Sequence, residues 1–168
     1  MRFRRKSPED EEFQLGAVAL SKKDSAKAAR HFRKALSINP NHVDSLVGLG
    51  IALSTMNAQP DIEALQRSIE EFDKALAIKK KNPIAWYNRG LSFFKMGKFE
   101  KAIESFRMAL KYNQKFSIVW AYLGEAYYHV GNYDEASFCA SRAIKLNPTL
   151  TEKVSSWYTE MQKKINKE

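Results

Sequence analysis

Residues 82–114, NPIAWYNRGLSFFKMGKFEKAIESFRMALKYNQ, decide the fold because they encode two amphipathic helices and a turn. Pro83 begins the first helix, where a missing backbone N–H costs nothing. Gly97 ends it as a glycine at the C-cap. The second helix keeps Phe106 and Leu110 on one face at a spacing of four residues. Two short helices cannot bury both of their faces alone, so this unit requires neighbours of the same kind.

The chain supplies those neighbours as internal repeats. Moving forward by 34 residues returns the same pattern, and glycine, aromatic and alanine positions recur upstream as well. The intervals between the corresponding glycines are 34, 40 and 34 residues. The second repeat therefore contains an insertion of six residues between Gly50 and Ala75. The matched positions are Trp86 with Trp120, Gly90 with Gly124, Phe93 with Tyr127, Gly97 with Gly131, Ala102 with Ala136, and Ala109 with Ala143.

Two segments carry a resemblance to the tetratricopeptide repeat family. They are Trp–x–x–Arg–Gly–x–x–Phe at 86–93 and Trp–x–x–Leu–Gly–x–x–Tyr at 120–127, and Pro40 and Pro148 close the first and fourth repeats. The resemblance implies an all-α fold, a right-handed superhelical array of antiparallel helix pairs. It also implies a non-enzymatic scaffold for protein–protein interaction, although the family holds many different partners.

The repeats define the expected domain organisation. A basic N-terminal tail precedes four repeats, and an amphipathic C-terminal helix follows them and covers the exposed face of the fourth. In that helix Val154, Trp157 or Tyr158, Met161 and Ile165 recur at spacings of three and four residues. The expected boundaries are 1–8 for the tail, 9–42, 43–82 with the insertion, 83–116 and 117–150 for the repeats, and 151–168 for the capping helix.

The insertion replaces the usual tight turn of the second repeat. Residues 55–61 precede the second helix, and we interpret Pro60 as the entry to that helix. The six extra residues are expected to start the helix earlier by one to two turns, which adds about 9 Å. The segment acts either as a harmless extension or as a partner contact.

Composition excludes several classes of protein. Of 168 residues, 44% are hydrophobic, which is enough for a core and argues against a disordered chain. No apolar run approaches the roughly 18 residues that span a bilayer. The basic N-terminus is followed by SPEDEE rather than by the apolar region of a secretory signal. The single cysteine, Cys139, is interpreted as a packing residue, and we predict a reducing, cytoplasmic location.

The net charge of +9 raises the question of nucleic acid. Four cations, Arg2, Arg4, Arg5 and Lys6, lie in the tail, and others lie along repeat one or at helix ends. We interpret most of this charge as solvated surface. An acidic partner or a nucleic acid bound through the basic surfaces is an alternative function, but no nucleic-acid-binding motif supports it.

No pattern in the chain indicates catalysis. The three histidines are His31, His42 and His129, and no pair of them has the spacing of metal ligands on a helix. The sequence contains no glycine-rich phosphate loop and no recognisable nucleophile motif. We therefore predict no enzymatic activity, no metal and no cofactor.

The first helix of repeat three has a second apolar face, opposite the face that packs, and the equivalent positions are mainly apolar and aromatic through repeats two to four. In repeat proteins of this type the first helices line the inner groove, and an exposed apolar concavity is typical of a binding surface. The predicted partner is a protein or peptide whose apolar or amphipathic segment enters this groove. The predicted groove residues are Val47, Ile51, Ile84, Tyr87, Asn88, Leu91, Phe94, Lys95, Ile118, Tyr122, Glu125 and Tyr128.

The same slots test one subclass of the family, which binds acidic chaperone tails through a carboxylate clamp. Asn88 matches the middle asparagine of that clamp. The other slots hold Val47, Ile51, Ile118 and Tyr122, which offer a carboxylate no side-chain cation. The sequence argues against a chaperone-tail binder. Self-association through the last helix or the groove remains an alternative to binding a different protein.

Overall fold

The structure is a computed structural model that describes residues 7–57 and 59–165. The described residues form α-helices joined by turns and one short 3₁₀ segment, so the all-α prediction is confirmed. The four cations predicted in the tail lie outside the described residues. The α-helices are α1 (Pro8–Ser21), α2 (Ser25–Ile38), α3 (Val43–Ser54), α4 (Ile62–Ile78), α5 (Pro83–Lys95), α6 (Phe99–Tyr112), α7 (Ser117–His129), α8 (Tyr133–Leu146) and α9 (Thr151–Ile165).

The chain divides into two compact units, Met1–Lys81 and Asn82–Glu168. The first unit contains the helix pairs α1–α2 and α3–α4. The second contains the pairs α5–α6 and α7–α8, followed by α9. Within each pair the helices pack against each other, as the repeat pattern predicts.

Three of the four pairs turn within three residues, and the turns share one hydrogen-bond pattern. After α5, the Gly97 N–H donates to the Phe94 carbonyl at 2.9 Å and the Lys98 N–H donates to the Phe93 carbonyl at 2.9 Å. This pattern requires a left-handed residue at its centre. Gly97 has φ +71°, as predicted, and Gly131 has φ +79° in the matching turn. The first pair places Lys23 there instead, with φ 59°.

The six-residue insertion lengthens both the helix and the loop of the second repeat. Helix α4 has 17 residues, whereas α2, α6 and α8 have 14 each. The gain of three residues is about 4.5 Å, half of the predicted lengthening, and the rest of the insertion extends the loop. Pro60 lies outside the helix, because the carboxylate of Asp61 accepts hydrogen bonds from the Glu63 and Ala64 N–H groups and caps the helix at Ile62.

The core of the first unit is built around aromatic rings that lie against glycines. Phe32 is 1% exposed, and a Cβ added at Gly16 or at Gly48 would lie 2.6 Å from its ring. Phe72 lies against Gly50 in the same way. Any side chain on these glycines would displace the ring, so the glycines let α1 and α3 approach the second helices closely.

The second unit uses the same arrangement in its first pair and a substitute in its second. Phe106 lies against Gly90, with 2.7 Å from the ring to an added Cβ. The residue that corresponds to Phe106 in the next repeat is Ala140. The indole of Trp157, from α9, lies instead against Gly124 at 3.0 Å from an added Cβ. The terminal helix thus supplies the large ring that the fourth repeat lacks.

Helix α9 packs on α7 and α8 through one face. Val154, Trp157 and Met161 are buried, and they share a cluster with Ala140 and other residues of α7 and α8. Of the two aromatic candidates, Trp157 is the buried one, and Tyr158 packs against the cluster's edge. Ile165 was expected to pack and is instead 40% exposed, because the buried cluster ends at Met161. No helix among the described residues is both long enough and apolar enough to cross a membrane.

Candidate functional site

The structure brings ten of the predicted groove residues onto two neighbouring helices of the second unit. We call this surface the α5–α7 face. None of the ten is buried in the core. Its residues are Ile84, Tyr87, Asn88, Leu91, Phe94 and Lys95 on α5, and Ile118, Tyr122, Glu125 and Tyr128 on α7.

Aromatic contacts hold the centre of the α5–α7 face together. The ring of Tyr122 lies 6.1 Å from that of Tyr87 and 5.7 Å from that of Phe94, measured between centroids. Phe94 also contacts His129 edge-on at 5.9 Å. Such pairs stabilise by about 0.5–1.5 kcal/mol each beyond their burial. The centre of the face is therefore a fixed aromatic surface between two helices.

Apolar side chains flank this aromatic centre. Ile84 is 51% exposed at the beginning of α5. Leu91 and Ile118 are half-buried. Helical spacing places Ile84 and Leu91 along one line of α5, and Ile118 and Tyr122 along one line of α7. An apolar line of this kind is the usual anchor surface for an apolar peptide segment.

The polar groups of the face are partly engaged already. The Asn88 side-chain amide donates to the Ile84 carbonyl at 2.9 Å, within its own helix. Burial raises the pKa of Tyr87, so its hydroxyl stays protonated at neutral pH. At the end of α5, desolvation lowers the pKa of Lys95.

Helix α9 covers part of the α7 side. The Lys153 ammonium lies 3.8 Å from the centre of the Tyr122 ring and donates to the Glu125 carboxylate at 3.2 Å. Farther along, Lys164 lies 4.7 Å from the centre of the Tyr128 ring. Glu125 and Tyr128 are thus engaged by α9, and the open part of the face lies along α5 and the first half of α7.

The two predicted groove residues of the first unit lie on α3. Val47 is 7% exposed and contributes little surface. Ile51 is half-buried and lines a hollow of about 320 Å³ together with Leu20 and Thr55. The Ser25 and Thr55 hydroxyls lie 3.0 Å apart at this hollow.

The single cysteine, Cys139, is buried in the core of the second unit. Cys139 is 2% exposed, and burial raises the pKa of its thiol to about 12, so no thiolate forms near neutral pH. No group of three or more histidine, cysteine and carboxylate side chains suited to a metal ion occurs in the described part of the chain.

Sequence reasoning missed a cleft on the other side of α7, which we call the α6–α8 cleft. It has a volume of about 600 Å³. Its residues come from three helices and share no single helical line, so periodicity alone could not find it. The signal available was Phe138 and Arg142, an aromatic and a basic residue that repeat four carries outside the family motif. The lining includes Arg107, Lys111, Trp120, Tyr127, Phe138 and Arg142.

Family models match most of the repeat region of the chain. Models described as tetratricopeptide repeats match residues 83–116, residues 11–42 and 117–150, and residues 63–97. Among curated proteins, Superkiller protein 3 of Saccharomyces cerevisiae is 34% identical over 85 residues. That match covers 51% of this chain and only 6% of the yeast protein.

Solved structures share the fold at low sequence identity. PilF of Pseudomonas aeruginosa superposes with a TM-score of 0.80 at 22% identity, covering 95% of this chain and 69% of that one. MamA gives 0.70 at 21% identity over 91% of this chain and 95% of that one. The tetratricopeptide repeat domain of Arabidopsis OM64 superposes with a TM-score of 0.65 at 19% identity, covering 70% of this chain and 93% of that one. At these identities the likeness concerns the fold alone.

Proposed function

The chain belongs to the tetratricopeptide repeat family, and from that premise we propose that it is a non-enzymatic interaction scaffold whose α5–α7 face binds an apolar or amphipathic segment of a partner protein. The family consists of scaffolds for protein–protein interaction. The proposal concerns which surface acts and what kind of segment it takes.

The observation that carries the proposal is exposed apolar surface on α5. Ile84 is half exposed, although the same helix buries Ala85 and Phe93 fully or nearly so on its other side. Exposure of apolar surface to water is unfavourable, so covering the second apolar face of such a helix with a partner is favourable. Each half-buried aliphatic side chain gains about 1 kcal/mol when a partner completes its burial.

The charges near the face indicate how a peptide is oriented. Lys95 lies at the end of α5, where the helix dipole favours a cation. Lys153 lies over Tyr122 on the α7 side. An amphipathic segment with apolar anchors and an acidic residue at one end fits this arrangement. A purely acidic tail fits poorly, because the middle of the face offers aromatic and aliphatic groups.

Selection from a random peptide library tests the proposal without a known partner. The full chain is the bait, and the selected peptides are then measured against Ile84→Glu and Leu91→Glu variants. We expect enriched peptides to carry apolar residues at helical or alternating spacing, and each variant to weaken binding at least tenfold. Ile62→Glu is the matched control, since Ile62 is 56% exposed on α4.

The result that overturns the proposal is equally specific. Peptides that bind all three variants as well as the original chain do not use the α5–α7 face. Far-ultraviolet circular dichroism of each variant verifies that the helices remain formed.

A further inference from the structure

The α6–α8 cleft has a composition that the α5–α7 face lacks. It lies on the opposite side of α7, because Trp120 and Tyr122 are two residues apart on a helix and point about 200° apart. Its floor includes Leu110 and Leu123, both nearly fully buried, and its walls carry three aromatic side chains. The aromatic side chains are Trp120, Tyr127 and Phe138.

Phe138 is the outstanding apolar residue of the cleft. It is 58% exposed, although it lies on the same helix as four buried core residues. Its ring contacts Trp120 edge-on at 5.9 Å between centroids. The Trp120 indole N–H donates to the Gln114 carbonyl at 2.9 Å, which fixes the ring in the wall. A rigid tryptophan beside an exposed phenylalanine is the kind of anchor pocket that dominates binding at protein interfaces.

The rim of the cleft is positively charged. Arg107, Lys111 and Arg142 line it, and Glu135 is the one carboxylate that the described residues add to the lining. Within residues 7–57 and 59–165, none of these three cations forms an ion pair with a carboxylate. The balance of three cations to one anion favours an acidic ligand.

Arg142 is held in place but lacks an acceptor. Its guanidinium carbon lies 5.6 Å from the centre of the Trp120 ring, in a cation–π arrangement. Its Nε–H is buried and has no hydrogen-bond partner among the described residues. A buried donor without an acceptor is costly, and a carboxylate brought into the cleft removes that cost.

We propose that the α6–α8 cleft is a second peptide site, which binds an acidic segment carrying one aromatic or large aliphatic anchor. The anchor packs between Trp120 and Phe138, and a neighbouring carboxylate pairs with Arg142. Arg107 and Lys111 attract the remaining acidic residues. The site is independent of the α5–α7 face, so the scaffold holds two segments of different chemistry at once.

A nucleic acid fits the cleft less well than an acidic peptide. The Arg142 guanidinium occupies one face of Trp120, where a base would otherwise stack. The cations surround one pocket instead of forming a track along which a backbone could run.

The indole N–H signals of the full chain provide a direct readout by nuclear magnetic resonance. The chain has three tryptophans, and Trp120 is the one that lines the cleft. The probe is a synthetic peptide of glutamate and serine around a central phenylalanine. Its controls are the same peptide with lysine for glutamate, the same peptide with alanine for phenylalanine, and an oligouridylate of equal length.

We expect the acidic phenylalanine peptide to shift the Trp120 signal and to leave the Trp86 signal in place. Phe138→Ser and Arg142→Gln should each weaken binding about tenfold. Lys145→Gln, an exposed cation of α8 outside the cleft, and Ile84→Glu should leave it unchanged. A Trp120 shift that is absent, or that the lysine peptide produces equally, overturns the proposal. Tighter binding of the oligouridylate overturns it in favour of nucleic acid.

Discussion

Trp157 replaces a missing ring of the fourth repeat, and this claim gives a quantitative prediction. The indole is 5% exposed and lies against Gly124, where the third repeat places Phe106 against Gly90. Truncating a buried tryptophan to alanine costs about 3–5 kcal/mol. The Trp157 Nε1–H is buried and has no hydrogen-bond partner among the described residues. Removing this unpaired donor is favourable and partly offsets the lost packing. We expect Trp157→Ala to lower the free energy of unfolding by about 3 kcal/mol.

The matched experiment restores the ring from the other helix. Ala140 occupies the slot of Phe106 and is 2% exposed. Ala140→Phe in the original chain overfills the site and costs about 1–3 kcal/mol. In the Trp157→Ala background the new phenylalanine occupies the space that the indole leaves. The two substitutions should therefore couple favourably by about 2 kcal/mol or more.

Urea denaturation followed by far-ultraviolet circular dichroism measures this cycle, because helix signal does not depend on the missing tryptophan. Trp157→Phe is the control for ring loss, and it should cost less than Trp157→Ala because it keeps a large ring and removes the unpaired N–H. Additive costs for Ala140→Phe and Trp157→Ala would show that the two side chains do not share one space, and the reasoning would be refuted.

Two further predictions concern the turns and the first helix. Lys23→Gly should raise the free energy of unfolding by about 0.5 kcal/mol, because the relief of the left-handed backbone at φ 59° exceeds the added conformational entropy of the unfolded chain. Gly97→Ala should lower the free energy of unfolding by about 1 kcal/mol, because alanine disfavours the positive φ of this position. Thermal melts in which the two substitutions shift the midpoint in the same direction would contradict this. Hydrogen bonds from His31 and Lys34 lower the pKa of Glu12 below its ordinary value of 4.5, so its carboxylate stabilises the fold above that pH and the contribution disappears as pH falls. The urea midpoint of the original chain should therefore exceed that of Glu12→Gln at neutral pH, and the gap should narrow as the pH falls below 4.5. A constant gap across this range would exclude the carboxylate as the cause.

The fold was predictable because its determinants recur. Gly97 and its counterpart Gly131 adopt the positive φ that the repeat spacing indicated. The positive φ of Lys23 could not be predicted, because lysine is not a residue type that favours the left-handed conformation. The start of α4 was placed too early since Pro60 is a common first residue of helices, whereas the actual cap is the Asp61 carboxylate.

The candidate site was predictable only in part. Helical spacing could place the residues of the α5–α7 face together, because spacing along a single helix assigns each residue to one face of that helix. Spacing could not reveal that Lys153 would pair with Glu125, since that contact joins residues 28 apart through the placement of α9. The α6–α8 cleft was missed for the same reason, as three helices contribute to it.

The most direct test of the account places a photoreactive phenylalanine analogue at Ile84, and separately at Ile62 as a control of similar exposure. The target is a peptide selected from the library whose binding Phe138→Ser leaves unchanged, so that it is not held by the α6–α8 cleft. The account predicts crosslinking from position 84, with apolar anchor residues of the peptide as the attachment points, and none from position 62. Crosslinking from position 62, or from neither position while the peptide still binds, would contradict the claim that the α5–α7 face is the binding surface.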